Sequence, residues 1–478
     1  MADMPTIDGL NIESPRDGKI FSIKNIHSSR NAARLGLLRL PDRKSIQTPH
    51  YIAVASRGVV PHLSPDNYAS QTDIRGVYMA LEDFIERKSF KEPPIYKYTP
   101  PDDSSPLRRF TGLPDDSLLV LGPRRTPPIS CPTPSTLKSI PVLTSVGYRH
   151  LECQEYSRAA ARLRPDIVVG LGDVPYGADK VPKKKIDKIT DRSTLWMREQ
   201  VKARKEDKTA GDATGPLLYA PILPISVEAQ RWYLDELMDE LKGDYDGLAL
   251  YDTTTLDTLP THFGELPRLG FTEPKNPNAV LREVSLGMDI LTVPFIGAVT
   301  DAGIAFDFSF PVKGDEGIHR QVPQPLGVDM WDPSNATSLT PLSPGCFCYA
   351  CTNHHKAYLQ HLLMAKEMLG WVLLQIHNHH VMDLFFDGIR NSIARDSLEE
   401  DTAAFHRFYE SDLPAKTGQG PRVRGYQFKA EGPGQPKANP SAFKNLDDIR
   451  EKVAQAAPPT PSLDSTELEA HGFAEKTD

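Results

Sequence analysis

The sequence predicts an α/β chain, a (β/α)8 or TIM barrel carrying a small C-terminal subdomain, and three observations carry the prediction. Between about 141 and 295, strand-like and helix-like runs alternate at roughly 30 to 40 residues per unit, the rhythm of parallel βα units. A doubly wound open sheet is the alternative, but no Gly-x-Gly-x-x-Gly follows a strand. The third observation is Cys346-Phe-Cys348-Tyr-Ala-Cys351, followed 26 positions after its last thiol by His377. Three thiols in so short a turn, with an imidazole on a later helix, make a Cys3His set. Soft thiolates and imidazole suit Zn2+, one ion per chain, and four protein ligands leave no open position, so the site reads as structural. His354, His355, His379 and His380 stand nearby and one of them could replace His377; surface or supporting polar roles are their plainer reading.

In chain order, Phe21 and the run 34–40 read as strands, as does 46–55 with Pro49 near its start. Ser64 is placed to cap a helix with Pro65 in its first position. From 90 to 140, Pro93, Pro94, Pro100, Pro101, Pro127, Pro128, Pro132 and Pro134 break any long element, and 115–122 supplies one strand. Pro141 opens a run leading into a helix over 149–163, and 166–173 is an apolar strand ending at Asp173. Helices over 191–205, 227–241 and 277–286 alternate with strands over 217–223, 247–251 and 288–295. A helix over 353–376 then carries His377 back to the thiols, with Tyr358, Leu362, Ala365, Leu369, Val372 and Ile376 as its apolar stripe. A second helix covers 383–396. The expected domains are a flexible N-terminus over 1–20, a barrel over 21–410 including the zinc subdomain at about 340–400, and a low-complexity tail over 411–478. That tail is expected to be largely disordered, with a helix near 446–456.

Composition narrows the class. With 478 residues, 39% hydrophobic and 25% charged, the chain can bury one large core or two. No apolar run of about 18 residues exists, so no integral membrane association is expected. The opening Met-Ala-Asp-Met-Pro lacks the basic and apolar regions of a signal peptide. Five cysteines, three in the cluster with Cys131 and Cys153 apart, fit a reducing compartment rather than a disulfide framework. A formal charge of -8 disfavours a general nucleic-acid binder while leaving room for a local basic face.

The thiol cluster with His355, Tyr358-Leu359, His361-Leu362, Glu367-x-Leu369 and His377-Asn378 resembles the zinc region of the tRNA-guanine transglycosylases, also called queuine tRNA-ribosyltransferases. Ala33-Arg34-Leu-Gly36, Thr48-Pro49 and the stretch 278–289 extend the resemblance over about 20 to 400. It implies a TIM barrel with a zinc insertion that exchanges guanine for queuine or its precursor at the anticodon wobble position. The family's aspartate nucleophile forms a covalent RNA intermediate, and a second aspartate handles protons. Here the nucleophile position falls on Thr292, and Ala298 stands where an arginine would follow. The Asp-Ser-Gly-Gly-Phe-Gln loop is missing, with the proline-rich stretch in its place. Pro224-Ile-Ser replaces Gln-Gly-Gly, and Ala249-Leu-Tyr251 replaces the guanine-binding Gly-Gly-Leu. Asp173 alone sits where the family has a base-reading aspartate; a strand-end cap is its plainer role.

A zinc site without its catalytic set resembles the accessory branch of the eukaryotic enzyme, as do Thr144-Ser-Val-Gly147 and 166–170. That branch implies no catalytic residue in this chain, a heterodimer with a catalytic paralogue, and tRNA as the shared substrate. It also implies a cytoplasmic location, with peripheral attachment to an organelle surface such as the mitochondrial outer membrane left open. Two alternatives remain. One is a self-sufficient transglycosylase using Asp289 or Asp301, and the other is a zinc-stabilised RNA-binding scaffold. Lys183–Lys185 within 180–188, Arg108-Arg109 and Arg124-Arg125 are candidate phosphate contacts against a default of solvated loops.

Overall fold

Strand-like character from 46 to 55 is interrupted at Pro49, which has no amide to donate to a ladder. In the computed structural model, which describes residues 19–24, 32–85, 92–102, 104–144, 147–176, 181–209, 215–312 and 322–421, this run is two strands in two sheets. β1 (Phe21–Lys24), β2 (Leu35–Leu38) and β3 (Ile46–Thr48) form a small antiparallel sheet, and β4 (His50–Val54) enters the barrel. The expectations for 1–18, for the tail beyond 421, for Ser145-Val146 and for Lys180 lie outside the described residues.

The chain continues with α1 (Pro65–Gln71), β5 (Gly76–Ala80), α2 (Pro94–Lys97), α3 (Pro106–Thr111), β6 (Leu118–Gly122) and the hairpin β7 (Ser139–Thr144) with β8 (Gly147–Glu152). Next come α4 (Cys153–Leu163), β9 (Ile167–Val169), α5 (Lys183–Thr209), β10 (Leu217–Ile222), α6 (Arg231–Met238), β11 (Gly247–Leu250), β12 (Arg268–Gly270), α7 (Pro277–Ser285) and β13 (Ile290–Thr292). The strands β4, β5, β6, β9, β10, β11, β12 and β13 pair in parallel, and β13 returns to β4 to close the barrel. The chain is thus a TIM barrel, as the alternation predicts. After it come α8 (Phe295–Asp301), the antiparallel pair β14 (Ile304–Phe306) and β15 (Gly327–Asp329), then α9 (Tyr349–Asn353), α10 (Lys356–Met364), α11 (Met368–Ala394) and α12 (Leu398–Phe408).

Local signals place these elements. Ser64 accepts from the Asn67 amide with Pro65 at the start of α1, and Asn276 accepts from the Ala279 amide ahead of Pro277 in α7. Strand alternation sorts the barrel: Ile52, Val120 and Val169 point into its lumen, while Tyr51, Leu119 and Val168 face the helices.

Three readings of the sequence are corrected. Residues 149–152 belong to β8, so α4 starts at Cys153 rather than 149. β5 and β12 pass unread because the fully buried β5 shows no alternation and β12 holds a single large apolar side chain, Leu269. The helix drawn over 353–376 is broken. α10 ends at Met364, Lys366 turns the chain through a φ of 58°, and α11 then runs unbroken through His377 and 383 to Ala394. The proposed stripe fails at that break, because Ala365 and Leu369 are exposed while α11 is buried on almost every side from Gly370 to His379. A helix buried all round shows no amphipathic period. Its close packing is visible at Gly388, where an added Cβ would lie 1.7 Å from the Phe310 carbonyl oxygen.

Candidate metal centre and the closed barrel mouth

The donor atoms of Cys346, Cys348, Cys351 and His377 all lie within 4.8 Å of one another. His377 Nδ1 stands 3.6 Å from Cys346 Sγ, 3.6 Å from Cys348 Sγ and 3.4 Å from Cys351 Sγ. Metal–sulfur and metal–nitrogen bonds of about 2.3 and 2.0 Å at a tetrahedral angle put sulfur and nitrogen roughly 3.5 Å apart, so the imidazole stands at ligand spacing from all three sulfurs and the group could hold a metal ion. Cys348 is the N-cap of α9 and its sulfur accepts from the Cys351 amide at 3.4 Å, which brings these two thiols to one side of the turn. Hydrogen bonding with Cys348 and Cys351 pulls the Cys346 thiol far below its usual range, and the same kind of bonding, with Cys346 and Cys351, pushes Cys348 far above it. One sulfur is thereby held anionic while Cys348 keeps its proton, and a bound metal would take that proton's place.

The imidazole is oriented from behind. His377 Nε2 lies 2.8 Å from the Phe306 carbonyl, so the proton belongs on Nε2 and the Nδ1 lone pair faces the thiols. Its neighbour Asn378 accepts from the Phe306 amide at 2.9 Å and donates to Thr300 Oγ1 at 2.9 Å. β14 is thus pinned to α11 by both backbone groups of one residue. The other histidines are engaged elsewhere. His355 caps α10, His354 stacks on Tyr358 at 5.1 Å, and His380 packs against Phe347 at 4.5 Å. His379 faces Tyr51 Oη at 3.0 Å and Gln375 Nε2 at 3.0 Å. Burial drops its pKa to about 3, and burial lifts that of Asp383, which accepts from the same tyrosine, to about 8.

At the C-terminal end of a TIM barrel, where such folds place their chemistry, this barrel is filled. Tyr78, Tyr176, Tyr251 and Phe271 meet over it, with Phe271 5.0 Å from Tyr78 and stacked 5.4 Å from Tyr251, and Tyr251 6.4 Å from Tyr176. The Arg124 guanidinium lies 5.0 Å over Tyr176. Gly122 admits the Tyr78 ring, since a Cβ there would sit 2.0 Å from its hydroxyl. The remaining cavity is about 10 Å³, room for one water and far too little for a nucleobase. The pocket is closed by Tyr251, at the position where the resemblance expects the guanine-binding glycines to end.

Thr292 ends β13 facing the lumen, fully buried, and its hydroxyl donates to the Gly270 carbonyl at 2.9 Å. Among the described residues no acid or imidazole is hydrogen-bonded to that hydroxyl, which is already committed. Asp173 lies at the mouth, but Arg192 Nε donates to its carboxylate at 2.7 Å and Ser135 Oγ at 2.6 Å. β9 ends at Val169 rather than at Asp173, so Asp173 is a loop residue, and its carboxylate ties that loop to Arg192 and Ser135. Asp289 sits at the opposite end of the barrel, before β13, where Arg34 Nε donates to it at 2.8 Å and the Arg268 amide at 2.8 Å. Asp301 ends α8 and lies 2.6 Å from His62. Asp289 is therefore away from the mouth, and the Asp301 carboxylate is taken by His62. Asp289→Asn is expected to destabilise the fold by about 3 kcal/mol in urea unfolding, because the half-buried Arg34 loses its fully buried counter-charge. A nucleophile at Asp289 would instead lose activity at unchanged stability.

One site feature escapes the sequence. After β5, Glu82 accepts from the Arg125 amide at 2.7 Å and the Leu143 amide at 2.9 Å, and Asp83 pairs with Arg125 at 3.1 Å. These contacts staple part of the proline-rich stretch, 123–143, over the mouth. Only the prolines hinted at an ordered loop there. Arg125 and Arg108 are consequently internal, with Arg108 paired to Asp166 at 2.8 Å, and Arg109 pairs with Asp102 at 2.9 Å. Lys183, Lys184 and Lys185 remain exposed.

Comparison with known proteins gives one answer. The family model described as queuine tRNA-ribosyltransferase matches residues 29–411. A Schizosaccharomyces pombe protein named queuine tRNA-ribosyltransferase accessory subunit 2 is 33% identical over 432 residues, 89% of this chain and 92% of that protein. Proteins of the same name from Drosophila mojavensis and Drosophila melanogaster are 29% and 26% identical, covering 79% and 80% of this chain and 90% of each of theirs.

Proposed function

The chain belongs to the queuine tRNA-ribosyltransferase family, and from that premise we propose that it is the non-catalytic subunit of a heterodimeric queuine tRNA-ribosyltransferase. In this role it supports the exchange of guanine for queuine at the tRNA wobble position, which a catalytic paralogue carries out. The observation that carries the reading is Thr292, a buried and hydrogen-bonded hydroxyl at the nucleophile position, beneath a mouth closed by Tyr251 and Phe271. A barrel that cannot admit a base can still position RNA and hold a partner.

Cys346, Cys348, Cys351 and His377 hold one Zn2+ in this reading. The ion supplies a cross-link and no reactive position, since all four ligands come from the protein. It ties α9 to α11 and, through Phe306, to β14. The partner surface lies on this zinc lobe. Leu339 (75%), Met364 (60%), Phe347 (59%) and Met368 (50%) are exposed there, a density of large apolar side chains that suits a protein interface. The barrel with its lobe, 21–410, acts as one unit beside the tail over 411–478. No helix among the described residues is long and apolar enough to cross a membrane, and the cytoplasm is the proposed location.

The test is association. Mixed with a catalytic transglycosylase of the family, the chain is expected to run as a one-to-one heterodimer by native mass measurement. A chain that stays alone in the mixture contradicts the reading.

A further inference from the structure

Among the described residues, the mouth-side end of α5 carries more positive charge than the fold uses. Lys183, Lys184, Lys185 and Lys188 are exposed and form no ion pair there, against Asp187 and Asp191 on the same turns. The first turn of α5 has no acidic residue. Cations at a helix N-terminus oppose the helix dipole, so this arrangement works against the stability of α5. The rest of the helix is balanced: Arg192 pairs with Asp173, Arg198 with Glu236 at 2.5 Å, Arg204 with Asp246 at 2.6 Å and Lys205 with Asp244 at 2.7 Å. The unneutralised charge is therefore confined to the turns before Arg192.

Those turns bury one face, at Ile189 and Thr190, and present the lysines outward. The pairs 198–236 and 205–244 set α5 and α6 side by side and parallel. From Arg198 back to Lys183, α5 rises about 22 Å, and from Glu236 back to Arg231, α6 rises about 8 Å. Arg192 marks the level of the mouth through Asp173, so the lysines project beyond the rim. At the top of α6, about one turn above Glu236, Trp232 is 87% exposed, the most exposed of the large hydrophobic side chains among the described residues. The same sector follows β9 and β10, whereas α11 packs by Tyr51 of β4, across the closed strand order. A partner docked on the zinc lobe leaves this sector open.

We propose that the projecting turns of α5 and the neighbouring Trp232 form an RNA-contacting surface, with Lys183, Lys184, Lys185 and Lys188 on phosphates and Trp232 on an unpaired base. Flexible unpaired lysines read backbone charge without sequence, and an exposed indole offers a face to any base. This assignment rests on the proposed role as a tRNA-engaging subunit and adds the surface through which that role is exercised. It also explains how a barrel with a filled mouth can contribute to RNA binding, since no base needs to enter it.

The experiment uses the heterodimer with its catalytic partner and a substrate tRNA, titrated across a salt series. The K183S/K184S/K185S/K188S variant is expected to flatten the slope of log affinity against log salt by about 0.7 for each phosphate no longer neutralised, roughly two to three units in all. Trp232→Ala is expected to weaken binding about five- to hundredfold at every salt concentration with the slope unchanged. All five side chains are exposed, so metal content should match the wild type, and the lysine variant should unfold at the same temperature or higher because it loses cations from the α5 N-terminus. An unchanged slope in the first variant, or unchanged affinity in the second, overturns the surface while wild-type binding stands. A wild-type heterodimer that binds no tRNA overturns instead the role on which the surface rests.

Discussion

Cys348→Ser is expected to lose the metal and the ordered C-terminal lobe together. The substitution is informative because it keeps a second role of the residue. Cys348 caps α9 by accepting from the Cys351 amide, and serine is a good N-cap, so the helix start survives. What is removed is one soft ligand from a set in which three sulfurs crowd around His377 Nδ1. Structural Cys/His sites in small peptides contribute about 10–16 kcal/mol of folding free energy. Here the lobe also has apolar support from Leu359, Leu363, Trp371 and Leu374, so the net loss is smaller yet still decisive for α9 and the start of α11. Elemental analysis should fall from one metal per chain to none, and hydrogen exchange should rise across α9 and the start of α11. Partner association should fall with them, because Phe347 lies between two ligands and is exposed on the same lobe. A variant that keeps its metal and pairs normally would withdraw the four-ligand assignment.

Thr292→Asp restores the side chain that the resemblance expects, and the expected result is a damaged barrel with no activity. The wild-type hydroxyl is a donor to the Gly270 carbonyl in a fully buried place. An aspartate there sets a carboxylate oxygen against that carbonyl, with no cation paired to the position. A buried, unpaired charge costs about 3–5 kcal/mol, so urea or thermal unfolding should show a loss of that order. The base pocket would still be occupied by Tyr251 and Phe271. Folding like the wild type, together with a covalent RNA adduct at the new aspartate, would contradict the account of the mouth.

What the sequence made legible follows from what kind of interaction was involved. The metal set could be read because ligand chemistry is carried by residue identity and short spacing, and His377 arrives where the 26-residue interval puts it. The barrel could be read from β9, β10, β11 and β13, whose buried runs alternate with helices. β12 holds one large apolar side chain, Leu269, and left too little pattern to see, whereas the equally short β9 and β13 lie in longer apolar runs. The break at Lys366 gave no warning, because neither proline nor glycine marks it and the left-handed turn is made by a lysine. The aromatic closure was invisible for a different reason. Tyr78, Tyr176, Tyr251 and Phe271 come from separate βα units, and only barrel closure brings them together. The substitution at Tyr251 was apparent as a missing glycine; that it fills the pocket is a property of the assembled mouth.

Base exchange measures the central claim most directly. Purified chain, incubated alone with tRNA and labelled guanine, is expected to exchange at the background rate. The same chain mixed in equal amount with a catalytic transglycosylase of the family is expected to support full exchange. Robust exchange by the chain alone would contradict the account.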